Sequence, residues 1–121
     1  MAKAHKAVSS ARLLLNTGDI DGACSRAYYG MFDAAKAAVL ASQPQIDTTF
    51  AKTHGGLIST FGQTLVKKGV LPVEMGRSLN RASEIRLIAD YSGDLVTAEK
   101  ADWVVAQAER FVIDIQHFLG S

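Results

Sequence analysis

One cysteine, Cys24, is too few for an intrachain disulfide or a cysteine-based metal site. That scarcity fits a reducing compartment. Proline occurs twice, at Pro44 and Pro72, so long helices can run between them without interruption. No apolar run approaches the roughly 18 residues of a membrane span. Lys3, His5 and Lys6 break up the start, so no signal peptide is read there. Strand-like alternation, internal repeats and low-complexity stretches are missing as well. No His/Cys/carboxylate spacing suggests a metal, and Gly55-Gly56 lacks the spacing of a phosphate loop. No cofactor is expected. Neither sign of charge dominates, because the chain carries a net +1. These absences leave a cytoplasmic protein with no membrane contact and one domain over residues 1–121.

What is present is helical periodicity. Residues 2–16 place Ala4, Val8, Ala11 and Leu15 on one stripe, and Thr17-Gly18-Asp19 reads as a turn with Asp19 as the next cap. Residues 20–42 carry two stripes. Ala23, Ala27, Met31, Ala34 and Ala38 make the first; Tyr28, Phe32, Ala35 and Val39 make the second. Two stripes predict a central helix, buried on most of its circumference. After a polar loop over 43–51, a third helix is expected at 54–68, capped by Thr53 and stopped by Gly69. A fourth starts near Pro72, as a first-turn proline, and runs to Tyr91. Ser92-Gly93-Asp94 breaks the chain. Thr97 caps the last helix, whose apolar face is Val104, Ala108, Phe111, Ile115 and Phe118. Trp103 belongs to the core or an interface, and Cys24 reads as a small buried residue. The predicted fold is all-α: an up-and-down four-helix bundle with one additional short helix.

Two polar motifs interrupt these stripes. Ser25-Arg26-Ala27-Tyr28-Tyr29-Gly30-Met31-Phe32 lies on the second helix, and Arg86-Leu87-Ile88-Ala89-Asp90-Tyr91 ends the fourth. Arginine, tyrosine and aspartate enter apolar stripes only when they find partners. One reading is a clamp between helices, with Arg26 or Tyr29 tied to Asp90. The other is an anion-binding cleft built from Arg26, Arg86 and Tyr91. Charge is also uneven along the chain. Residues 51–91 hold six Lys/Arg against three acids, and residues 92–121 hold two against five. Such a split suits an anionic ligand, two mutually attractive surfaces of a dimer, or a solvated surface.

The first motif resembles the second-helix signature of HEPN domains. Lys52-Thr53-His54-Gly55-Gly56-Leu57-Ile58-Ser59, followed by Phe61-Gly62 and Val66-Lys67-Lys68-Gly69, and the Arg86 to Tyr91 segment are similar to further parts of that family. The likeness runs from about residue 3 to 119. It implies a helical bundle that homodimerises, often encoded beside a minimal nucleotidyltransferase as a toxin–antitoxin pair. Active HEPN ribonucleases carry an arginine followed, after four to six residues, by a histidine. This chain departs from that motif: neither Arg86 nor Arg81 has a histidine in reach, and Tyr91 stands where the shortest spacing would put one. Arg110 and His117 match formally but sit on the last helix.

The missing histidine matters chemically. Attack by a ribose 2′-hydroxyl needs a base near neutral pH, which histidine supplies. Tyrosine is a poor base, and arginine stabilises phosphate without taking a proton. Asp90 either pairs with Arg86 one turn away or serves as a base. His54 pairs locally at a helix start, contacts phosphate, or replaces the missing base. The candidate catalytic residues are therefore Arg86, Asp90 and Tyr91. Candidates for contact with RNA, nucleotide or a partner are Arg26, Tyr29, His54, Lys52 and Arg81. Two expectations follow. One is a dimeric binding component of a two-gene module with a nucleotidyltransferase partner; the other is a metal-independent RNase toxin that uses Arg86 with Tyr91 or His54.

Overall fold

A computed structural model describes residues 1–92 and 95–120. Every regular element among them is helical: α1 Ala2–Asn16, α2 Ile20–Ser42, α3 His54–Phe61, α4 Val73–Leu87 and α5 Ala98–Phe118. The caps are those expected from the sequence. Asp19 accepts from the Gly22 amide at 2.9 Å, Thr53 from Gly56 at 2.9 Å and Thr97 from Lys100 at 3.1 Å. Gly18 (φ 91°) and Gly69 (φ 76°) take the left-handed conformation that ends a helix.

α2 is the central helix and packs against α1, α3, α4 and α5. Its alanines 23, 27, 34, 35 and 38 are fully buried, which lets neighbouring backbones approach. Gly30 marks the closest approach. A Cβ there would lie 2.7 Å from Val8 Cγ2 and 3.2 Å from the Ala4 carbonyl oxygen. Val8 is stiff at χ1 and cannot yield cheaply. Gly30→Ala should therefore lower stability by about 1 kcal/mol, because overpacking outweighs the helix-propensity gain. Gly55, with open space around its Cβ position, is the contrast: Gly55→Ala should stabilise by up to about 1 kcal/mol. Urea denaturation of both variants checks the pair.

The departures from expectation sit at helix ends. Pro72 occupies the cap position before α4, one residue earlier than a first-turn proline. A 3₁₀ turn, Thr48–Ala51, forms inside the expected polar loop, with Asp47 capping Thr49. The third and fourth helices do not continue in α register. α3 passes into a π-helical turn at Gly62–Val66, where Lys67 N donates to Gly62 O at 2.7 Å. α4 passes into a second one at Ile88–Ser92. The expected break at Ser92-Gly93-Asp94 falls partly on Gly93 and Asp94, which lie outside the described residues. α1 is tied to α5 by Arg12, whose Nε donates to Glu109 Oε2 at 3.1 Å and whose Nη1 reaches Asp102 at 3.4 Å. Part of the acidity of the last helix is thus answered within the chain. No helix among the described residues is long and apolar enough to cross a membrane.

Candidate functional site

Four elements meet around one guanidinium. The last turn of α4 supplies Arg86, which is 3% exposed. The π turn that follows supplies Asp90 and Tyr91. Asp90 Oδ2 accepts from Arg86 Nη1 at 3.3 Å, and its side chain is 26% exposed. α2 supplies Tyr28 and Tyr29, and α3 opens with His54. The Arg86 Cζ lies 5.2 Å from the ring centre of Tyr28, 5.7 Å from Tyr29 and 5.8 Å from Tyr91. All three distances are within cation–π range.

His54 is joined to this group through Tyr28, whose hydroxyl lies 2.9 Å from His54 Nδ1. Its ring also packs against Tyr28, Tyr29 and Phe32 at 5.4, 5.8 and 5.5 Å between centres. Thr53 places it by capping α3. Gly56 lets the turn close, since a Cβ there would come within 2.6 Å of the Phe50 carbonyl oxygen. Burial holds the His54 pKa below the usual histidine value, and the Arg86 charge pushes it the same way. The imidazole is therefore neutral at pH 7. Burial pushes the Tyr28 phenol up, against the opposing effects of Ser83 and Arg86, so it stays protonated. Removing the arginine's charge should raise the His54 pKa. An NMR titration of Arg86→Met against wild type reads that shift directly; identical curves would mean that the two groups are not electrically coupled.

Arg86 is incompletely satisfied. Its Nε is buried with no hydrogen-bond partner, the one such side-chain atom among the described residues. Its one carboxylate bond, at 3.3 Å, is long for a charge-assisted contact. An anion at this corner would gain a donor that the protein leaves unused. No group of three or more His, Cys, Asp or Glu side chains among the described residues could hold a metal ion.

The structure gathers Arg86, Asp90, Tyr91, Tyr29 and His54 into one cluster. The tie expected between Asp90 and Arg26 or Tyr29 does not form, because Asp90 bonds to Arg86 on its own helix. Arg26 is exposed and lines a neighbouring cavity of about 260 Å³ with Lys3, Tyr29 and Asp33, so Tyr29 is common to both places. Lys52 is exposed, two residues before His54. Arg81 stays outside the cluster and pairs with Glu84 at 3.1 Å. Tyr28 and Phe32 read from the sequence only as apolar stripe residues. The signal for Tyr28 was its hydroxyl, which at a buried position has to find a partner.

Comparison with known proteins agrees with the residue pattern. The chain is 36% identical to the UPF0332 protein glr0978 of Gloeobacter violaceus, over 99% of this chain and 93% of that one. It is 33% identical to a Methanocaldococcus jannaschii protein named "Putative toxin MJ0605", over 96% of this chain and 83% of the relative. A UPF0332 protein of Thermotoga maritima is 32% identical over 97% of this chain and 86% of its own length. The family model for the HEPN domain matches residues 1–117, and the chain therefore belongs to the HEPN domain family.

Proposed function

We propose that this toxin-like HEPN protein binds the phosphate of an RNA or nucleotide at the Arg86 corner. In this reading it acts as a homodimer, within a two-gene module whose second member is a nucleotidyltransferase-type protein. The observation that carries the reading is the buried, unpartnered Nε of Arg86 beside a single long bond to Asp90. A phosphate can accept from Nε and from Nη2 beside it on the same edge, because a guanidinium fork matches phosphate geometry. Tyr91, 75% exposed, stands at the rim with most of its surface open to meet a base. Leu87, one turn before it and 46% exposed, offers apolar surface to a second copy. The toxin names of the Methanocaldococcus jannaschii relatives support the toxin half of the reading.

The Tyr28–His54 contact supports a second reading, metal-independent RNA cleavage. In the tautomer whose Nδ1–H donates to the Tyr28 oxygen, neutral His54 has an unprotonated Nε2 that can serve as a base beside the phosphate-binding arginine. Total tRNA incubated with purified protein in EDTA separates the two readings. Cleavage lost in Arg86→Met and His54→Ala variants of confirmed fold establishes a nuclease. Binding without cleavage, weakened by Arg86→Met, establishes the binding module. Neither binding nor cleavage overturns both.

A further inference from the structure

α4 and α5 diverge along a groove on a different flank of α4 from the one that holds Arg86. It comprises two adjoining cavities of about 330 and 410 Å³, which share Glu74, Ser78 and Gln107. The first is walled by Trp103 from α5 and by Arg77 and Arg81 from α4. The second continues to Arg110 and Asp114 on α5. Trp103 was expected in the core or an interface; at 39% exposed it is not a core residue. Arg77 and Arg110 are exposed and make no hydrogen bond or ion pair within the described residues. The pair that Arg81 makes with Glu84 is itself half-exposed (48% and 52%), a kind of contact that gives way easily.

We propose that this groove is a binding platform for single-stranded nucleic acid, with Trp103 as the stacking surface and Arg77 and Arg81 as the phosphate contacts. Only the choice of RNA over DNA rests on the function proposed above. The two arginines are one helical turn apart, a rise of about 6 Å, so they can engage neighbouring phosphates along one wall. The indole faces them across the groove, which sets ring and charge apart as they are in a nucleotide. Stacking on an aromatic flanked by arginines is how single strands are held without base pairing. Glu74, one turn before Arg77 on the α4 wall, and Asp114 on α5 can accept from the exocyclic amine of a cytosine or adenine, and Gln107 can donate or accept. An acidic peptide would set its carboxylates against the same Glu74 and Asp114 and leave the indole face uncovered.

Trp103 is the one tryptophan in the chain, so its fluorescence reports the site without a label. The full-length protein is titrated at low salt with a ten-nucleotide single-stranded RNA of mixed cytidine and adenosine. Saturable quenching is expected, with affinity falling as salt rises. The double variant Arg77→Gln/Arg81→Gln, on exposed positions, should weaken it by at least about tenfold. Trp103→Ala, followed by filter binding, should cost about tenfold as well. Loss of tRNA binding in Arg86→Met reports on the Arg86 corner and quenching of Trp103 reports on the groove, so failure of the Arg86 reading and failure of this one are told apart. Absence of quenching overturns the proposal, as does quenching that the double arginine variant does not change. Quenching by polyglutamate in place of RNA overturns it too and assigns the groove to an acidic peptide.

Discussion

Asp90→Ala is expected to cost about 2 kcal/mol more stability than Arg86→Met, although Asp90 is the more exposed partner. Removing Asp90 leaves a guanidinium that is 3% exposed with no anion beside it and an Nε already without a partner. Stripping one member from a buried pair costs roughly 3 kcal/mol, and the partial exposure of Asp90 trims that by letting water in. Arg86→Met removes the charge itself and fills the space between Tyr28, Tyr29 and Tyr91 with a flexible apolar chain of similar length. The cation–π contacts are lost, at about 1 kcal/mol, and the carboxylate it releases is 26% exposed and can turn to solvent. Urea denaturation followed by circular dichroism ranks the variants. Inorganic phosphate should then raise the unfolding midpoint of Asp90→Ala more than that of wild type, because the vacancy binds the anion only in the folded state. The reverse ranking would mean that Arg86 is already solvated and that its Nε creates no anion site.

The same cluster shows what the sequence made legible. Helix bounds at 2–16 and 20–42 followed from stripe periodicity and from the Gly18-Asp19 signal, and the centrality of α2 followed from its two stripes. Local chemistry decides those features, so local residues announce them. The π turns after α3 and α4 were not legible. A single widened turn leaves the apolar spacing almost unchanged, and Gly62 and Ile88 carry no distinguishing side chain. Yet the second π turn carries Asp90 and Tyr91, and such turns recur at functional sites.

Among the site residues, the Arg86–Asp90 pair was readable because its i,i+4 spacing is a property of one helix. The meeting of His54 with Arg86 was not, since it depends on how α3 lies across α2. The sequence left three roles open for His54, and it gave no sign of the contact between its Nδ1 and the Tyr28 hydroxyl. Arg26 shows the opposite failure. It was grouped with Arg86 and Tyr91 in the expected anion cleft, but it lines a separate cavity with Tyr29. Composition left the charge split open between a ligand, a dimer surface and a solvated face, and it could not show that Arg12 pairs with Glu109 and Asp102.

On the cleavage reading, His54→Ala should lower the rate by 10²- to 10⁴-fold, the usual span for a lost general base. His54 Nε2 would take the proton from the attacking 2′-hydroxyl while Arg86 bears the charge that grows on the phosphate. Tyr28→Phe keeps the ring but frees Nδ1, and should cost about tenfold through lost orientation. The pH profile separates this role from a structural one. Because the folded-state pKa of His54 is depressed, the rate should rise with pH with its midpoint below the ordinary histidine value of about 6.5. Stability follows the same group. Between the depressed folded pKa and the unfolded value the unfolded chain binds more protons, so stability falls as pH drops through that window and levels off below it. His54→Gln should remove that contribution. Arg86→Met, by lifting the His54 pKa, should shift the acid limb of any residual activity upward. A rate profile that stays fixed in Arg86→Met and survives His54→Ala would show that neither residue moves the proton, and would leave the Arg86 corner as a binding site.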